Sequence, residues 1–88
     1  AFAAEGARVA RWDIDPAAET VVDAADFAAV TTAAGRLGRV DHVVYAAAVG
    51  SGKFGFPFWS LAPADWPRVL TVNLMGAVNV AHAFAPRM

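Results

Sequence analysis

The chain has 88 residues, of which 58% are hydrophobic, and a formal net charge of −1, a balance that gives no electrostatic basis for binding nucleic acid or an anionic membrane. It contains no Cys, which excludes disulfides, a thiolate nucleophile and Cys-based metal sites, and the spacing of its two His residues predicts no other metal site. No uninterrupted apolar run is long enough to span a bilayer, and the N-terminus lacks the features of a signal peptide, so we expect a cytoplasmic protein.

The first half of the chain alternates short apolar runs with turn residues. Residues 1–5 followed by Gly6 are typical of the end of a helix, with the glycine just after its last residue. Residues 7–12 and 20–22 are typical of short strands, each stopped by an acidic residue. Asp26 is a favourable N-cap for the next helix. Its apolar stripe, which ends before Gly38, consists of Phe27, Val30, Ala34 and Leu37.

The second half contains a long apolar run, a loop and a long helix. Residues 40–49 fit a strand that is covered on both faces, as parallel sheets require. Residues 50–61 form a loop rich in Gly, Pro and aromatic residues, and a helix is expected from Pro63 or Asp65 to about Ala85. The order predicts an α/β fold, part of a doubly wound parallel sheet with three strands and flanking helices.

Asn73 lies on the apolar stripe of that last helix. The stripe consists of Trp66, Leu70, Ala77, Val80, Phe84 and Met88, so Asn73 is expected to face what the helix buries. An amide buried without partners costs about 1–3 kcal/mol, so it must be hydrogen-bonded. Periodicity alone leaves two interpretations: a structural Asn bonded to a neighbouring loop, or an Asn that belongs to an active site.

Two carboxylates follow the first two predicted strands. Asp13 and Asp23 could form a polar rim around an adenosine, because an acidic residue at a strand tip hydrogen-bonds the ribose in dinucleotide-binding folds. The alternative is that both are turn-forming residues. Gly50-x-Gly52-x-x-Gly55 has the spacing of the glycine fingerprint, the phosphate-binding motif of dinucleotide-binding folds. That motif must be followed by a helix N-terminus, and Phe56-Pro57-Phe58 prevents a helix from starting there. That loop is better interpreted as an aromatic substrate or interface loop.

Together these features resemble the short-chain dehydrogenase/reductase family along nearly the whole chain. Residues 3–9 resemble its entry to the second strand, and residues 37–41 its entry to the fourth. The most specific part is the stretch 65–76, Asp-Trp-Pro-Arg-Val-Leu-Thr-Val-Asn-Leu-Met-Gly. The resemblance implies that residues 1–88 are a partial NAD(P)-binding Rossmann domain. The Gly-rich loop would precede it, and the catalytic Ser and Tyr-x-x-x-Lys would follow it.

The resemblance also implies roles for individual residues. Asn73 would be the Asn of the catalytic tetrad, which holds a helix so that a carbonyl can bind the water of a proton relay. Asp13 with Ile14 would bind the adenosine ribose and favour NAD over NADP, and Asp23 with Ala24 would contact the adenine. Residues 45–48, Tyr-Ala-Ala-Ala, stand where classical members have Asn-Asn-Ala-Gly, and the small side chains of Ala46, Ala47 and Ala48 would let the cofactor approach closely.

The implied function is that of an NAD-dependent oxidoreductase acting on a small alcohol or carbonyl compound. The 88 residues alone are expected to be inactive, because the phosphate-binding loop and the acid/base residue are absent from them. The alternative is a non-catalytic Rossmann-like module for nucleotide sensing or protein interaction. The helix over residues 65–88 is expected to pair with a second copy in a homo-oligomer, as the matching helix does in the family.

Overall fold

The computed structural model describes residues 2–53 and 55–88. The main elements are two strands, β1 (Trp12–Asp13) and β2 (Thr20–Val21), and three α-helices, α1 (Phe27–Gly35), α2 (Trp66–Leu70) and α3 (Gly76–Phe84). A π-helical turn, Thr71–Met75, joins α2 to α3. Short 3₁₀ turns are found at Ala3–Glu5, Phe58–Ser60, Pro63–Asp65 and Ala85–Arg87.

Strands β1 and β2 form a parallel pair, as predicted. Trp12 is opposite Thr20, and the pairing continues beyond the strands because the Val22 N–H donates to the Asp13 carbonyl oxygen at 2.9 Å. Each strand has two residues, fewer than the predicted runs. The connection over residues 14–19 has no helix and is held as a turn, in which the Ala18 N–H donates to the Asp15 carbonyl at 2.9 Å.

The predicted third strand is absent from the described residues, where the sheet has two strands and residues 40–49 have no ladder partner. A strand is defined by hydrogen bonds to a neighbour, so an apolar extended sequence is insufficient. In a doubly wound sheet of order 3-2-1-4, strand 1 lies between strands 2 and 4. In this chain, the run over residues 7–12 resembles the family's second strand and residues 40–49 resemble its fourth. These two segments would therefore not be neighbours in the family's sheet. The prediction of three strands is therefore not confirmed within the described residues.

Helix α1 begins and ends through its capping residues. The Asp26 carboxylate accepts the Ala29 N–H at 3.2 Å, as the N-cap prediction requires. The helix ends at Gly35, earlier than expected, and Gly38 has a φ of +68°. Val30 and Ala34 are fully buried, whereas Phe27 and Leu37 remain exposed. Gly6 likewise ends the first 3₁₀ turn at a φ of +93°, which confirms its role as a terminating glycine.

The long helix is continuous over Pro63–Arg87, but its buried face differs from the predicted stripe. Val80 and Phe84 are buried as expected, while Trp66, Leu70, Asn73 and Met88 are exposed. The π turn contains one residue more than an α-helical turn. The side chains of α3 are therefore rotated about the helix axis by roughly 100° relative to where the spacing in α2 would place them. The buried residues of α3 are Gly76, Asn79, Val80, Ala83 and Phe84.

This helix is also long and apolar enough to cross a membrane by length and composition. Its 25 residues include an 18-residue window of mean hydropathy 1.3, of which 22% is buried. A buried helix in the core of a larger globular fold can have the same length and composition. The prediction that the protein does not bind a membrane stays a prediction.

The core lies where α1 and α3 pack against each other and against the strands. Its buried members are Val22, Val30, Ala33, Ala34, Val80, Ala83 and Phe84. Trp12 of β1 lies on it, with its ring centroid 5.3 Å from that of Phe84. Tyr45 and Ala24 are partly buried against the same cluster. The core therefore brings the ends of the strands close to the middle of the long helix.

Candidate active-site segment

Asn73 joins the π turn to the segment over residues 45–49 by two hydrogen bonds to one residue. Its Oδ1 accepts the Val49 N–H at 2.8 Å, and its Nδ2 donates to the Val49 carbonyl oxygen at 2.9 Å. A side-chain amide carries the same donor and acceptor as a peptide group, so Asn73 pairs with Val49 as a neighbouring strand would. Both polar groups of Val49 are satisfied in a segment that has no strand partner.

The structure separates the two parts of the Asn73 prediction. The expected burial is wrong, because Asn73 is exposed. Its bonds to a neighbouring segment are those that the structural interpretation required. The same bonds would also hold a catalytic Asn in place, so the tetrad role stays a prediction.

The π turn is stabilised by a tyrosine hydroxyl. The Gly76 N–H donates to the Thr71 carbonyl, five residues back, instead of the Val72 carbonyl that an α-helix would use. The Tyr45 hydroxyl donates to the Val72 carbonyl oxygen at 2.6 Å. Single π turns inside α-helices are frequent at functional sites. Here the π turn carries Asn73.

Tyr45 can reach this carbonyl because residue 76 is glycine. A Cβ at Gly76 would overlap the Tyr45 hydroxyl oxygen and would lie 3.4 Å from the Ala24 Cβ. Burial, and secondly the negative charge of Asp23, raise the pKa of Tyr45 above its ordinary value. The hydroxyl therefore remains a protonated donor at neutral pH.

The residues predicted to contact adenosine lie at the carboxyl ends of the two parallel strands. Asp13 Oδ1 accepts the Asp15 N–H at 3.2 Å, and Asp23 Oδ1 accepts the Ala25 N–H at 2.9 Å. These are the turn bonds that the alternative interpretation anticipated. Both Asp side chains are exposed, and so is Ile14 beside Asp13.

Asn79 is a buried polar residue beside the candidate site that sequence reasoning missed. It is 8% exposed, and its Nδ2 donates to the Ala24 carbonyl oxygen at 2.9 Å. The signal was an amide on an apolar helical face, the same signal that singled out Asn73. Asn79 thus links Ala24, of the predicted adenine-contact pair, to the helix that carries Asn73.

Ala46, Ala47 and Ala48 lie between Tyr45 and Val49 and are exposed. Their methyl groups extend little from the backbone, so they would obstruct an approaching ligand less than larger side chains would. The two hydrogen-bonded residues fix the segment at both ends. Their predicted contact with the cofactor stays a prediction.

The loop after this segment is held to the start of the long helix by Lys53. Its Nζ lies 2.7 Å from Asp65 Oδ2 and 3.1 Å from the Ser60 carbonyl oxygen, and Asp65 also accepts the Ala62 N–H at 2.8 Å. Phe56, Phe58 and Trp59 are exposed, and Phe54 lies outside the described residues. The next helical turn begins only at Phe58, which agrees with discounting the glycine fingerprint.

This contact predicts an acid-sensitive loop. The hydrogen bond from Lys53, and then that from the Ala62 N–H, lower the pKa of Asp65 below its ordinary value. A lowered folded-state pKa stabilises the loop above the ordinary carboxyl pKa of about 3.9, and this contribution is lost as pH falls through the folded-state pKa. Trp fluorescence should change on acidification in that range. Asp65→Asn should remove the change, whereas Asp41→Asn, outside the loop, should leave it; equal behaviour would contradict the prediction.

Shallow clefts lie elsewhere on the described surface. A shallow cleft of about 220 Å³ is lined by Ser51, Leu61, Asp65, Trp66 and Val69. Another, of about 350 Å³, lies along β2 and α1, away from Asn73. Within residues 2–53 and 55–88, no three His, Cys, Asp or Glu residues are grouped so that they could hold a metal ion.

Comparison with known proteins identifies the family. The family model described as short chain dehydrogenase matches residues 1–88. The chain is also similar to the 1-deoxy-11-beta-hydroxypentalenate dehydrogenase of Streptomyces avermitilis, with 43% identity over 72 residues. That match covers 77% of this chain and 26% of the relative, so the chain corresponds to about a quarter of the relative's length. No solved structure gives a significant match. The chain belongs to the short-chain dehydrogenase family.

Proposed function

We propose that this chain forms the adenosine side and one catalytic corner of an NAD-dependent oxidoreductase that transfers a hydride between nicotinamide and an alcohol or carbonyl compound. The observation that carries the proposal is the paired hydrogen bonding of Asn73 to Val49, at the centre of the stretch that most resembles the family. The name of the relative, a dehydrogenase of a hydroxylated compound, supports an alcohol as substrate. Members of the family use NAD or NADP.

The described residues fit the adenosine part of such a cofactor. Asp13 is exposed at the end of β1, and its turn bond uses only Oδ1, which leaves Oδ2 to accept from ribose hydroxyls. A carboxylate at this position would repel the 2′-phosphate of NADP, which favours NAD. Ile14 would lie against the adenosine, Asp23 and Ala24 would meet the adenine, and Ala46, Ala47 and Ala48 would allow close approach.

The cofactor, when bound, supplies the hydride acceptor or donor. The role of this chain is to position the groups around the cofactor. Asn73 holds the helix against Val49, so that a backbone carbonyl of the helix can bind a relay water. The proton itself would be handled by the family's Tyr and Lys, for which the 88 residues have no counterpart. The isolated 88-residue polypeptide should therefore show no NAD-dependent alcohol oxidation, and a robust rate would refute this division of roles.

The cofactor assignment has a matched pair of variants. In the full-length protein that contains this chain, Asp13→Ala should reduce the preference for NAD over NADP by about tenfold or more, because a hydrogen bond to a charged group contributes about 1.5–3 kcal/mol and about 1.4 kcal/mol corresponds to tenfold in affinity. Asp15→Ala is the control, since Asp15 is an exposed carboxylate in the same turn that accepts the Ala17 N–H at 2.9 Å. Direct titration of NAD and NADP gives both affinities, and equal effects of the two substitutions would disprove the role of Asp13.

A non-catalytic nucleotide-sensing or protein-interaction module is the second candidate. Tyr45-Ala46-Ala47-Ala48 in place of Asn-Asn-Ala-Gly favours it, because two side-chain amides are lost. Nucleotide binding by the full-length protein without turnover of any alcohol would support this alternative.

We also propose that the protein is cytoplasmic and forms a homo-oligomer through residues 65–88. This stretch exposes an apolar face that includes Trp66, Leu70, Leu74, Met75 and Val78. A second copy would cover it. Leu74→Glu should dissociate the oligomer in sedimentation experiments, and a monomeric unmodified protein would contradict the proposal.

A further inference from the structure

Three hydrogen bonds connect the segment over residues 45–49 to the π turn. Two are the Asn73–Val49 pair, and the third runs from the Tyr45 hydroxyl to the Val72 carbonyl. The third bond ends one residue before Asn73. The orientation of the Asn73 side chain therefore depends on a turn whose preceding carbonyl is held by Tyr45.

The π turn needs this donor. Since the Gly76 N–H bonds to the Thr71 carbonyl, the Val72 carbonyl has lost its α-helical donor. With Tyr45 in place, the Val72 carbonyl is bonded at 2.6 Å. Removing the hydroxyl would favour return of the Gly76 N–H to the Val72 carbonyl, which converts the π turn to α-helix and rotates Asn73.

We propose that Tyr45 is a positioning residue for Asn73, acting through the Val72 carbonyl, with Gly76 as the space that admits its hydroxyl. The catalytic consequence rests on the proposed function, but the geometric statement does not. At this position, where classical members of the family have an Asn, a phenol reaches across to the helix from the neighbouring segment.

An acid/base role for Tyr45 does not fit the same surroundings. Its hydroxyl is committed to a backbone carbonyl, and its pKa is raised, first by burial and then by the charge of Asp23. A tyrosine that exchanges protons with substrate needs a lowered pKa. Tyr45 is a fixed donor.

Amide hydrogen exchange in the full-length protein tests the geometry without any substrate. Tyr45→Phe removes only the hydroxyl, and we expect the Val49 amide to exchange about fivefold or more faster, because its bond to Asn73 loosens. The Ala29 amide, bonded to Asp26 at the start of α1, is the folding control and should be unaffected. Unchanged Val49 exchange would overturn the inference, whatever the activity of the protein.

A pair of glycine substitutions tests whether Gly76 provides the space that the Tyr45 hydroxyl occupies. Gly76→Ala places a methyl group on the Tyr45 hydroxyl and should likewise accelerate exchange at Val49. Tyr45→Phe in the same chain should cost little more, since the oxygen that the methyl meets is already gone and the nearest remaining ring atom is 3.2 Å away. Gly35→Ala is the control, because its methyl would come no closer than 3.8 Å to the Arg87 side chain. Additive effects of Gly76→Ala and Tyr45→Phe would overturn the inference.

The catalytic consequence has its own measurement. With NAD and a panel of secondary alcohols, Tyr45→Phe should lower kcat by about tenfold or more while KM for NAD changes less than about twofold, because misplacement of a catalytic group affects the chemical step. A proportional rise in KM with unchanged kcat would overturn this consequence. Absence of turnover in the unmodified protein would refute the proposed function and leave the exchange results to decide the positioning role.

Discussion

Replacing Phe84 with Ala should lower the free energy of unfolding by about 3–5 kcal/mol, the range for truncating a buried Phe. Phe84 is 5% exposed, and its ring lies 5.3 Å from that of Trp12 where α3 meets β1. The other buried members of the core are Val and Ala, so truncation would leave a cavity between them and the partly buried Trp12 ring. Small domains have about 5–15 kcal/mol in total, so this loss should be evident in urea unfolding followed by circular dichroism.

Phe56→Ala is the matched control for this prediction. The same number of atoms is removed, but Phe56 is 61% exposed. A surface truncation of this kind changes stability by about 0.5 kcal/mol or less. Similar shifts of the two unfolding midpoints would show that α1 and α3 do not form the core described above.

Local signals in the sequence predicted local structure correctly. Asp26 was expected to cap α1 because its carboxylate can accept a free N–H of the first turn, and it does so. Gly6 was expected to end a helical turn because glycine tolerates a positive φ. The parallel pairing of β1 and β2 followed from the order of the elements. Each of these depends on residues close in sequence or on topology alone.

Features that depend on a partner or on helical phase were not predictable in the same way. Residues 40–49 have the composition of a covered strand, yet a strand also needs a neighbouring backbone. Asn73 was assigned to a buried face by counting 3.6 residues per turn, and the π turn breaks that count between Leu70 and Gly76. The Tyr45–Val72 bond joins residues 27 apart, beyond the reach of any local pattern.

On the proposed function, Asn73→Ala should reduce kcat of the full-length protein by about 100-fold, the effect expected when a catalytic group is displaced by about 1 Å. The substitution removes both bonds to Val49, so the helix and the segment over residues 45–49 can separate. Stability should fall by only about 1–2 kcal/mol, because Val49 is half-buried and water can replace part of what is lost. Stopped-flow measurement of NADH formation, with urea unfolding of the same preparation, would separate the two effects.

Thr71→Ala and Asn73→Asp make this result specific to the amide. Thr71 is an exposed polar residue of the same π turn, and losing its side chain should change kcat by less than about threefold, because the bond that forms the turn uses the Thr71 backbone carbonyl. Asn73→Asp keeps the acceptor for the Val49 N–H but places a carboxylate oxygen against the Val49 carbonyl, so it should be nearly as impaired as Asn73→Ala. If Asn73→Asp keeps the original kcat, the paired bonding to Val49 is not what Asn73 contributes. If Asn73→Ala loses stability and kcat in proportion, Asn73 is a structural residue, because a catalytic role requires a loss of kcat in protein that remains folded.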